Sequence, residues 1–287
     1  MKPSISQYYD KNTQRFLRFA PKGSSSTIHR AIWAPGVQFR TQAVHYVHQL
    51  ILTHGFDGSD TPIVWDLGCG VGASMGYLAE QLEQLVATFK GVTISSVQHQ
   101  IATQNIASRS DSTIEVYQGN FCDTPLLEKL EQAGNPSLVY MIESFVHGTC
   151  PEQLFKNLAK ALRPGGRLII CDDFLAYSEA KTNPLVQRFI QGWHIGTLLT
   201  KDQIQQIGET SNLTLKETIN LTGYVELNRP RDKAIRLLVF LAQKIGLTSS
   251  LLTKPFWQNM FGGDALQQAT QKAMIEYRFL VFEKPIE

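Results

Sequence analysis

The segment VWDLGCGVGASMGYLA, at residues 64–79, constrains the fold of this chain more than any other feature. The segment begins with an apolar run as long as one buried strand. Gly68, Gly70 and Gly72 follow this run, and a helical pattern begins directly after them. Glycines permit a tight turn and let the backbone approach a ligand closely. The first turn of a helix also leaves N–H groups unpaired at the carboxyl end of the strand, the edge where open α/β sheets bind ligands. The segment therefore predicts a strand–loop–helix unit that holds a ligand.

Strand and helix patterns alternate from residue 61 to about residue 178. This alternation predicts an α/β fold, with a parallel sheet that carries helices on both faces. A last apolar strand is predicted at 276–284. We expect a single domain over residues 1–287, with an N-terminal helical lid at 1–60, a core at 61–178 and a completing segment at 179–287. The completing segment would include a helical cap at about 226–262.

Composition narrows the class of partner. The net charge is +2 and the pI is about 8.3, which gives no general attraction to nucleic acid. The longest strongly apolar stretch, residues 237–242, is far too short to span a bilayer, and the N-terminal residues have no apolar leader. The four cysteines fit neither a zinc motif nor a compact disulfide framework. We therefore expect a cytoplasmic protein with a small-molecule substrate, no membrane span and no metal site of its own. Composition leaves a homo-oligomer open.

The glycine loop has a specific form, Asp66-x-Gly68-x-Gly70-x-Gly72. It resembles motif I of the class I methyltransferases that use S-adenosylmethionine (SAM). The resemblance implies a Rossmann-like seven-stranded sheet whose last strand is antiparallel. It also implies that Asp66 and the three glycines hold the amino-acid end of SAM. The alternatives are the related loop of NAD(P) enzymes and a turn of purely structural purpose.

Two further segments resemble the cyclopropane-synthase-like C-methyltransferases. GVTISSVQ, at 91–98, has no acid for the ribose, and its Thr93, Ser95 and Gln98 resemble the G-x-T-x-S-x-x-Q form of this group. The resemblance implies that Gln98 contacts the ribose and that Thr93 belongs to the cofactor site. QYYDKNTQRFL, at 7–17, resembles an N-terminal segment whose tyrosine, here Tyr9, reaches the SAM carboxylate and covers the site. The alternatives are a solvated Gln98 at a helix start and a Tyr9 that only packs its helix.

The adenine site is implied by the segment QGNF, which follows the predicted third strand. Asn120 occupies the place where relatives have an acid. Phe121 is placed to pack on the adenine ring. Both residues are therefore expected to contact the cofactor.

The segment YMIESFVHG ends the predicted fourth strand, at the edge where the methyl group of SAM would lie. Glu143 and His147 resemble the E-x-x-x-H arrangement of C-methyltransferases, in which an acid handles a carbocation or removes a proton. A buried acid beside a cation is poised between desolvation, which raises its pKa, and the positive charge, which lowers it. The alternatives are a structural glutamate bonded to the backbone and a histidine that caps a loop.

Four segments resemble bacterial C-methyltransferases of prenyl diphosphates: YYDKNTQRFLRF at 8–19, IHRAIWAPGV at 28–37, ESFVHG at 143–148 and GGDALQQATQKAMIEYRFLVFEK at 262–284. A diphosphate needs basic side chains, and Mg²⁺ would enter only with such a substrate. Arg15 and Arg30 are the basic candidates, with solvated surface positions as the alternative. Aromatic rings suit a prenyl chain and a cation, with core packing as the alternative. The candidates of this type are Trp33, Phe145, Trp193 and Tyr224.

These features predict a SAM-dependent methyltransferase that acts on a small molecule, with C-methylation of an isoprenoid alkene as the first hypothesis and Glu143 as the base. One alternative is O- or N-methylation of a phenol, indole or amine, with His147 as the base. A second alternative is a SAM-fold subunit that binds without catalysis.

Overall fold

The computed structural model of the chain describes residues 9–10, 13, 29–56, 58, 61–106, 113–132, 134–244 and 254–286. Seven strands form one sheet in the order β3-β2-β1-β4-β5-β7-β6. The strands are β1 (Ile63–Leu67), β2 (Thr88–Thr93), β3 (Thr113–Gln118), β4 (Leu138–Ile142), β5 (Arg167–Leu175), β6 (Thr214–Asn220) and β7 (Ile275–Glu283).

The first five strands run parallel, and β7 runs antiparallel between β5 and β6. The predicted Rossmann-like sheet with an antiparallel last strand is therefore confirmed. The strand order reverses at β1, which lies between β2 and β4. The loops that follow β1, β2 and β4 consequently meet at one edge, the switch point at which such sheets bind ligands.

Helices cover both faces of the sheet, as predicted. One hydrophobic cluster joins the sheet to α1 and α2, and another joins the opposite face to α4, α5 and α7. The helices are α1 (Arg40–Gly55), α2 (Ala73–Gln81), α3 (Ser96–Ile106), α4 (Thr124–Glu131), α5 (Pro151–Ala161), α6 (Pro184–Trp193), α7 (Lys201–Thr210), α8 (Pro230–Lys244) and α9 (Pro255–Gln271).

Helix α1 shows why the sequence folds in this way. Ala43, Val47 and Ile51 are fully buried and recur at intervals of four residues, which places them on one side of a helix. That side packs against the sheet within the cluster that α2 completes.

A small helical layer stands at the carboxyl ends of β4 and β5. Helices α6 and α9 pack on each other so closely that a Cβ added to Gly192 would lie 2.6 Å from the Cα of Gly262. Their cluster includes Val146 and Leu175, which follow β4 and end β5. Helix α8 docks on α9 through Val239, with Ala242 and Phe261 in the same cluster.

Among the residues that the structure describes, none of the helices combines the length and the apolar character that a membrane crossing requires.

Candidate active site at the carboxyl edge of the sheet

The glycine loop after β1 depends on backbone conformations that side chains rarely adopt. Gly68, Gly70 and Gly72 have φ angles of 107°, 55° and 78°. The N–H groups of Gly68 and Cys69 both donate to the carbonyl of Val92, which fastens the loop to the end of β2. A Cβ on Gly68 would lie 2.2 Å from the Cβ of Ser144, whereas a Cβ on Gly70 would meet no atom within 4 Å. Gly68 therefore permits close packing, and Gly70 faces open space that suits a ligand.

Asp66 lies directly below this loop and is 3% exposed. Its Oδ2 accepts a hydrogen bond of 2.9 Å from the hydroxyl of Tyr140. Burial raises the pKa of Asp66 to about 7, and the bond from Tyr140 opposes that rise. A cationic ligand that approached Asp66 would favour its ionised form.

The loop after β2 fixes Gln98 in place. The hydroxyl of Thr93 donates to the Gln98 Oε1 at 2.8 Å, and the backbone N–H of Gln98 donates to the Ser95 hydroxyl at 3.1 Å. Gln98 is buried at the start of α3. Gln98, the residue predicted to contact the ribose, and Thr93 of the predicted cofactor site therefore lie together at this edge, in direct contact with each other.

Two N-terminal residues bridge the loops on either side of the glycine loop. The Tyr9 hydroxyl lies 2.8 Å from the Nε2 of His147, which follows β4. The neighbouring Asp10 accepts a bond of 2.6 Å from the hydroxyl of Ser95, which follows β2. Because β1 lies between β2 and β4, residues 9 and 10 reach across the end of β1. This placement fits the predicted cover over the site.

Glu143 follows β4 in a strained backbone conformation, with a φ angle of 50°. Its Oε1 accepts the backbone N–H of Arg30 at 2.9 Å and the hydroxyl of Tyr277 at 3.0 Å. Among the described residues, the recorded contacts of this carboxylate all go to Oε1, and 22% of the side chain is exposed. A ligand could therefore reach Oε2.

Arg30 pairs with groups inside the protein. Its guanidinium donates two bonds to Asp173, one of them 2.7 Å long, and lies 4.6 Å from the centre of the Tyr277 ring. Its Nε lies 3.6 Å from Glu143. Two carboxylates therefore match its charge, and its contact with a substrate diphosphate stays a prediction.

Asp173 and Tyr277 were missed by the sequence reasoning. A signal was present for the acid, because Asp172 and Asp173 interrupt the apolar strand β5, and buried carboxylates need partners. Burial raises the pKa of Asp173, and the charge of Arg30 acts against that rise. For Tyr277 the sequence offered no signal beyond its place in an apolar strand.

His147 is half-buried near Glu143. Burial is the main cause that lowers its pKa to about 4. The imidazole is therefore neutral at pH 7, with Nε2 engaged by Tyr9. A ring with so low a pKa is a weak general base.

The residues after β3 lie at the same edge. The Asn120 side chain accepts the N–H of Cys122 at 2.9 Å and so closes its own turn. The Phe121 ring packs so close to Gly148 that a Cβ there would lie 3.0 Å from it. The contacts of both residues with adenine stay predictions.

The predicted substrate residues do not form one group. Phe145 is 2% exposed and packs on Phe155 and Phe174, in agreement with the alternative of core packing, and its contact with the substrate stays a prediction. The Trp193 ring donates to the carbonyl of Asn259 between α6 and α9. Arg15 lies outside the described residues.

Trp33 and Tyr224 are brought together in an open depression of about 460 Å³ that residues 223–227 complete. The Nε1 of Trp33 is buried, and within the described ranges it has no hydrogen-bond partner. This depression stays a candidate for acceptor binding.

Comparison with known proteins agrees with this geometry. Residues 65–170 match the family described as a methyltransferase domain. Methyltransferase GfsG of Streptomyces halstedii is 28% identical over 69% of this chain and 68% of its own length. The probable tocopherol O-methyltransferase of Oryza sativa is 27% identical over 77% of this chain and 60% of its own.

Solved structures extend the likeness to the whole fold. The cyclopropane synthase MmaA2 of Mycobacterium tuberculosis has a TM-score of 0.72 and 16% identity, over 99% of both chains. Geranyl diphosphate C-methyltransferase of Streptomyces coelicolor has a TM-score of 0.64 and 15% identity, over 98% of this chain and 100% of its own. Identities this low show a shared fold alone. The support for methyltransferase activity is the match to the methyltransferase domain and the similarity to the methyltransferases named above.

The chain is a SAM-dependent methyltransferase. This identification sets aside the NAD(P) enzyme and the non-catalytic subunit.

The described residues of the methyltransferase fit SAM. Gly70 borders open space, the buried Asp66 carboxylate suits a cationic ligand, and Gly72 starts a helix whose N–H groups suit a carboxylate. Mg²⁺ has no comparable support, because no cluster of three or more metal-binding side chains occurs in the described part of the chain.

Gly70→Ala is expected to weaken SAM binding far more than it weakens the fold. The added methyl group would occupy the open space and would also strain a left-handed backbone, at a cost of about 1–2 kcal/mol. Gly36→Ala is the matched control, because Gly36 also has a positive φ, 88°, and open surroundings. Thermal melts should show similar losses of stability for both variants, whereas calorimetry with SAM should show a loss only for Gly70→Ala. Full SAM affinity in Gly70→Ala would remove this glycine from the binding site.

Proposed function

We propose that this methyltransferase adds a methyl group to a carbon atom of an apolar alkene of isoprenoid type, and that Glu143 accepts the proton then released. The proposal rests mainly on the state of the Glu143 carboxylate. It is held at the β4 edge by two donors on Oε1, in a strained backbone conformation that the fold maintains. Strain of this kind is concentrated at functional sites.

The cofactor side of the reaction is assigned to the loops after β1 and β2. Asp66 and Gly70 would hold the amino-acid end of SAM, and Gln98, fixed by Thr93, would hold the ribose. SAM supplies an electrophilic methyl group that is already activated, so the protein contributes mainly position and alignment.

The acceptor side is assigned to the loop after β4. An alkene that gains a methyl cation becomes a carbocation, and loss of a proton from the adjacent carbon restores a double bond. Glu143 Oε2 would take that proton while Oε1 keeps its bonds to Arg30 and Tyr277. Residues 9 and 10 would exclude water, which would otherwise add to the cation.

The head group of the acceptor is a separate matter. Asp173 and Glu143 neutralise Arg30, so a diphosphate would need other cations. The uncharged and the diphosphate forms of one isoprenoid therefore belong in the same assay, with and without Mg²⁺.

O-methylation of a phenol is the second candidate, favoured by the likeness to a probable tocopherol O-methyltransferase. It would require a base near the hydroxyl. His147 is the imidazole that the sequence proposes for this role, but burial lowers its pKa to about 4, which makes it a poor base at pH 7. The Glu143 carboxylate therefore supports C-methylation better.

Product analysis separates the two candidates. SAM carrying a ¹³C methyl group would be supplied with prenyl alcohols, prenyl diphosphates and prenylated phenols. We expect the labelled methyl group on carbon, with a new or shifted double bond, in a prenyl product. Label on oxygen alone would contradict the proposal and favour the second candidate.

A further inference from the structure

Helix α8 presents an apolar face to the outside of the molecule. Ten large apolar side chains are strongly exposed in the described residues, and four of them fall within the five positions 237–241. Their exposed fractions run from 47% to 58%; they are Leu237, Leu238, Phe240 and Leu241. Contiguous patches of this kind mark interaction surfaces, whereas single exposed apolar residues need no explanation.

The helical period shows that this face is not a misplaced core. Val239 and Ala242 are buried and face α9. Leu237 and Leu241 are four residues apart and lie on the opposite side of the helix. Helix α8 thus has two apolar sides, and within the described part of the chain only one of them packs on other elements.

Basic side chains share the outward side. By the same period, Lys233 and Lys244 lie between Phe240 and Leu237, Arg231 lies just beyond Leu238, and all three are exposed. The Nζ of Lys244 lies 5.5 Å from the centre of the Phe240 ring. The only acid of the helix, Asp232, is buried and bonded to Arg229, so it does not offset these charges.

We propose that α8 docks on an anionic lipid surface, with Leu237 and Leu241 inserted among the acyl chains and the neighbouring basic side chains at the phosphate groups. Exposed apolar side chains together with basic ones are typical of helices that lie in the plane of a membrane interface. Long basic side chains can extend from such a helix to the head groups. A symmetric pairing of two copies would bring the same positive charges together, which disfavours a second copy as the partner.

This docking is independent of the acceptor. It does, however, place α8 and the active-site edge of the sheet on the same side of the molecule, because α8 packs on α9 and α9 packs at the carboxyl ends of β4 and β5. An apolar acceptor dissolved in the bilayer would then enter from the same side of the molecule.

Flotation with vesicles tests the proposal without any measurement of activity. The full chain would be mixed with vesicles of phosphatidylcholine alone, and with vesicles containing about one-third phosphatidylglycerol. We expect binding to the anionic vesicles only, with a strong decrease in 0.5 M salt as screening grows. Leu237→Glu/Leu241→Glu should reduce that binding at least tenfold, and Lys233→Glu/Lys244→Glu should also reduce it.

Val86→Glu/Ile286→Glu is the matched control, because these side chains are 76% and 82% exposed elsewhere and the change in charge is the same. It should bind as the unmodified chain does, and thermal melts should confirm that all variants are folded. Absence of binding to anionic vesicles would overturn the proposal. So would equal losses in the control, or self-association that Leu237→Glu/Leu241→Glu abolishes in vesicle-free solution.

Discussion

Asp66→Asn is expected to weaken SAM binding by roughly ten- to a hundred-fold, the effect of losing a hydrogen bond to a charged group. Asp66 is buried below the glycine loop, and SAM brings positive charge to that loop. Asparagine keeps an oxygen that can accept the bond from Tyr140. The change therefore removes the charge and little else. Calorimetric titration with SAM at pH 8 measures the loss.

The same interaction should depend on pH. Burial raises the pKa of Asp66 to about 7. Below that pH the Asp66 carboxyl group must therefore lose a proton before its ionised form can bind a cation. SAM affinity should then be level above about pH 8 and fall by about tenfold for each unit below pH 7. Asp66→Asn should remove this slope.

Tyr140→Phe is the control for this pH dependence. The Tyr140 hydroxyl holds the pKa of Asp66 below the value that burial alone would give. Its loss should move the midpoint of SAM affinity to higher pH and leave affinity well above that midpoint little changed. An unchanged midpoint would show that a group other than Asp66 titrates.

Stability without ligand should change in the opposite direction from affinity. A carboxyl group whose pKa is raised in the folded state keeps its proton longer there than in the unfolded chain. Ionisation therefore lowers stability as pH rises from about 4 through 7. Asp66→Asn removes that cost, so the ligand-free variant should melt at a higher temperature than the unmodified chain at pH 8. Lower melting together with lost affinity would indicate a damaged fold.

The sequence was sufficient for the elements that local pattern controls. The strand–glycine–helix unit and the parallel core follow from periodicity, and the antiparallel last strand follows from the family that the loop after β1 resembles. The places of Gln98 after β2 and of Glu143 after β4 also follow, because strand ends in a parallel sheet share one edge.

The network around Glu143 could not be obtained in the same way. Arg30, Asp173 and Tyr277 are more than one hundred residues apart in the chain, and they meet only because β7 inserts beside β5. The sequence alone does not distinguish a basic residue that binds a substrate diphosphate from one that pairs with a carboxylate inside the protein. Arg30 was therefore assigned to the substrate, although the partners that the structure shows for it are internal.

The direction in which a side chain points is the second property that the sequence did not determine. Phe145 follows Glu143 closely, and the short 3₁₀ turn Phe145–His147 directs its ring into the core. In α8, apolar residues occur on both sides of the helix, so the pattern could not show which side would be covered.

Glu143→Gln is expected to lower kcat by about 10²–10⁴-fold, the usual contribution of a general base, with little change in SAM affinity. Glutamine keeps an oxygen for the bonds from the Arg30 backbone and the Tyr277 hydroxyl, and Arg30 keeps its pairing with Asp173. The loss should therefore reflect the missing proton acceptor. Single-turnover rates with labelled SAM and the acceptor from the product screen would measure it.

The products of Glu143→Gln carry more information than its rate. If Glu143 removes a proton from a carbocation, the variant should release a larger share of methylated alcohol, formed when water adds to the cation. Glu276→Gln is the matched control, because Glu276 lies on β7, also accepts a bond from an arginine and has a similar exposure of 24%. It should change neither rate nor product ratio. If Glu143→Gln changes neither the rate nor the product ratio, the carboxylate is not the base. If the rate falls and the product ratio stays the same, the carboxylate only stabilises the carbocation electrostatically.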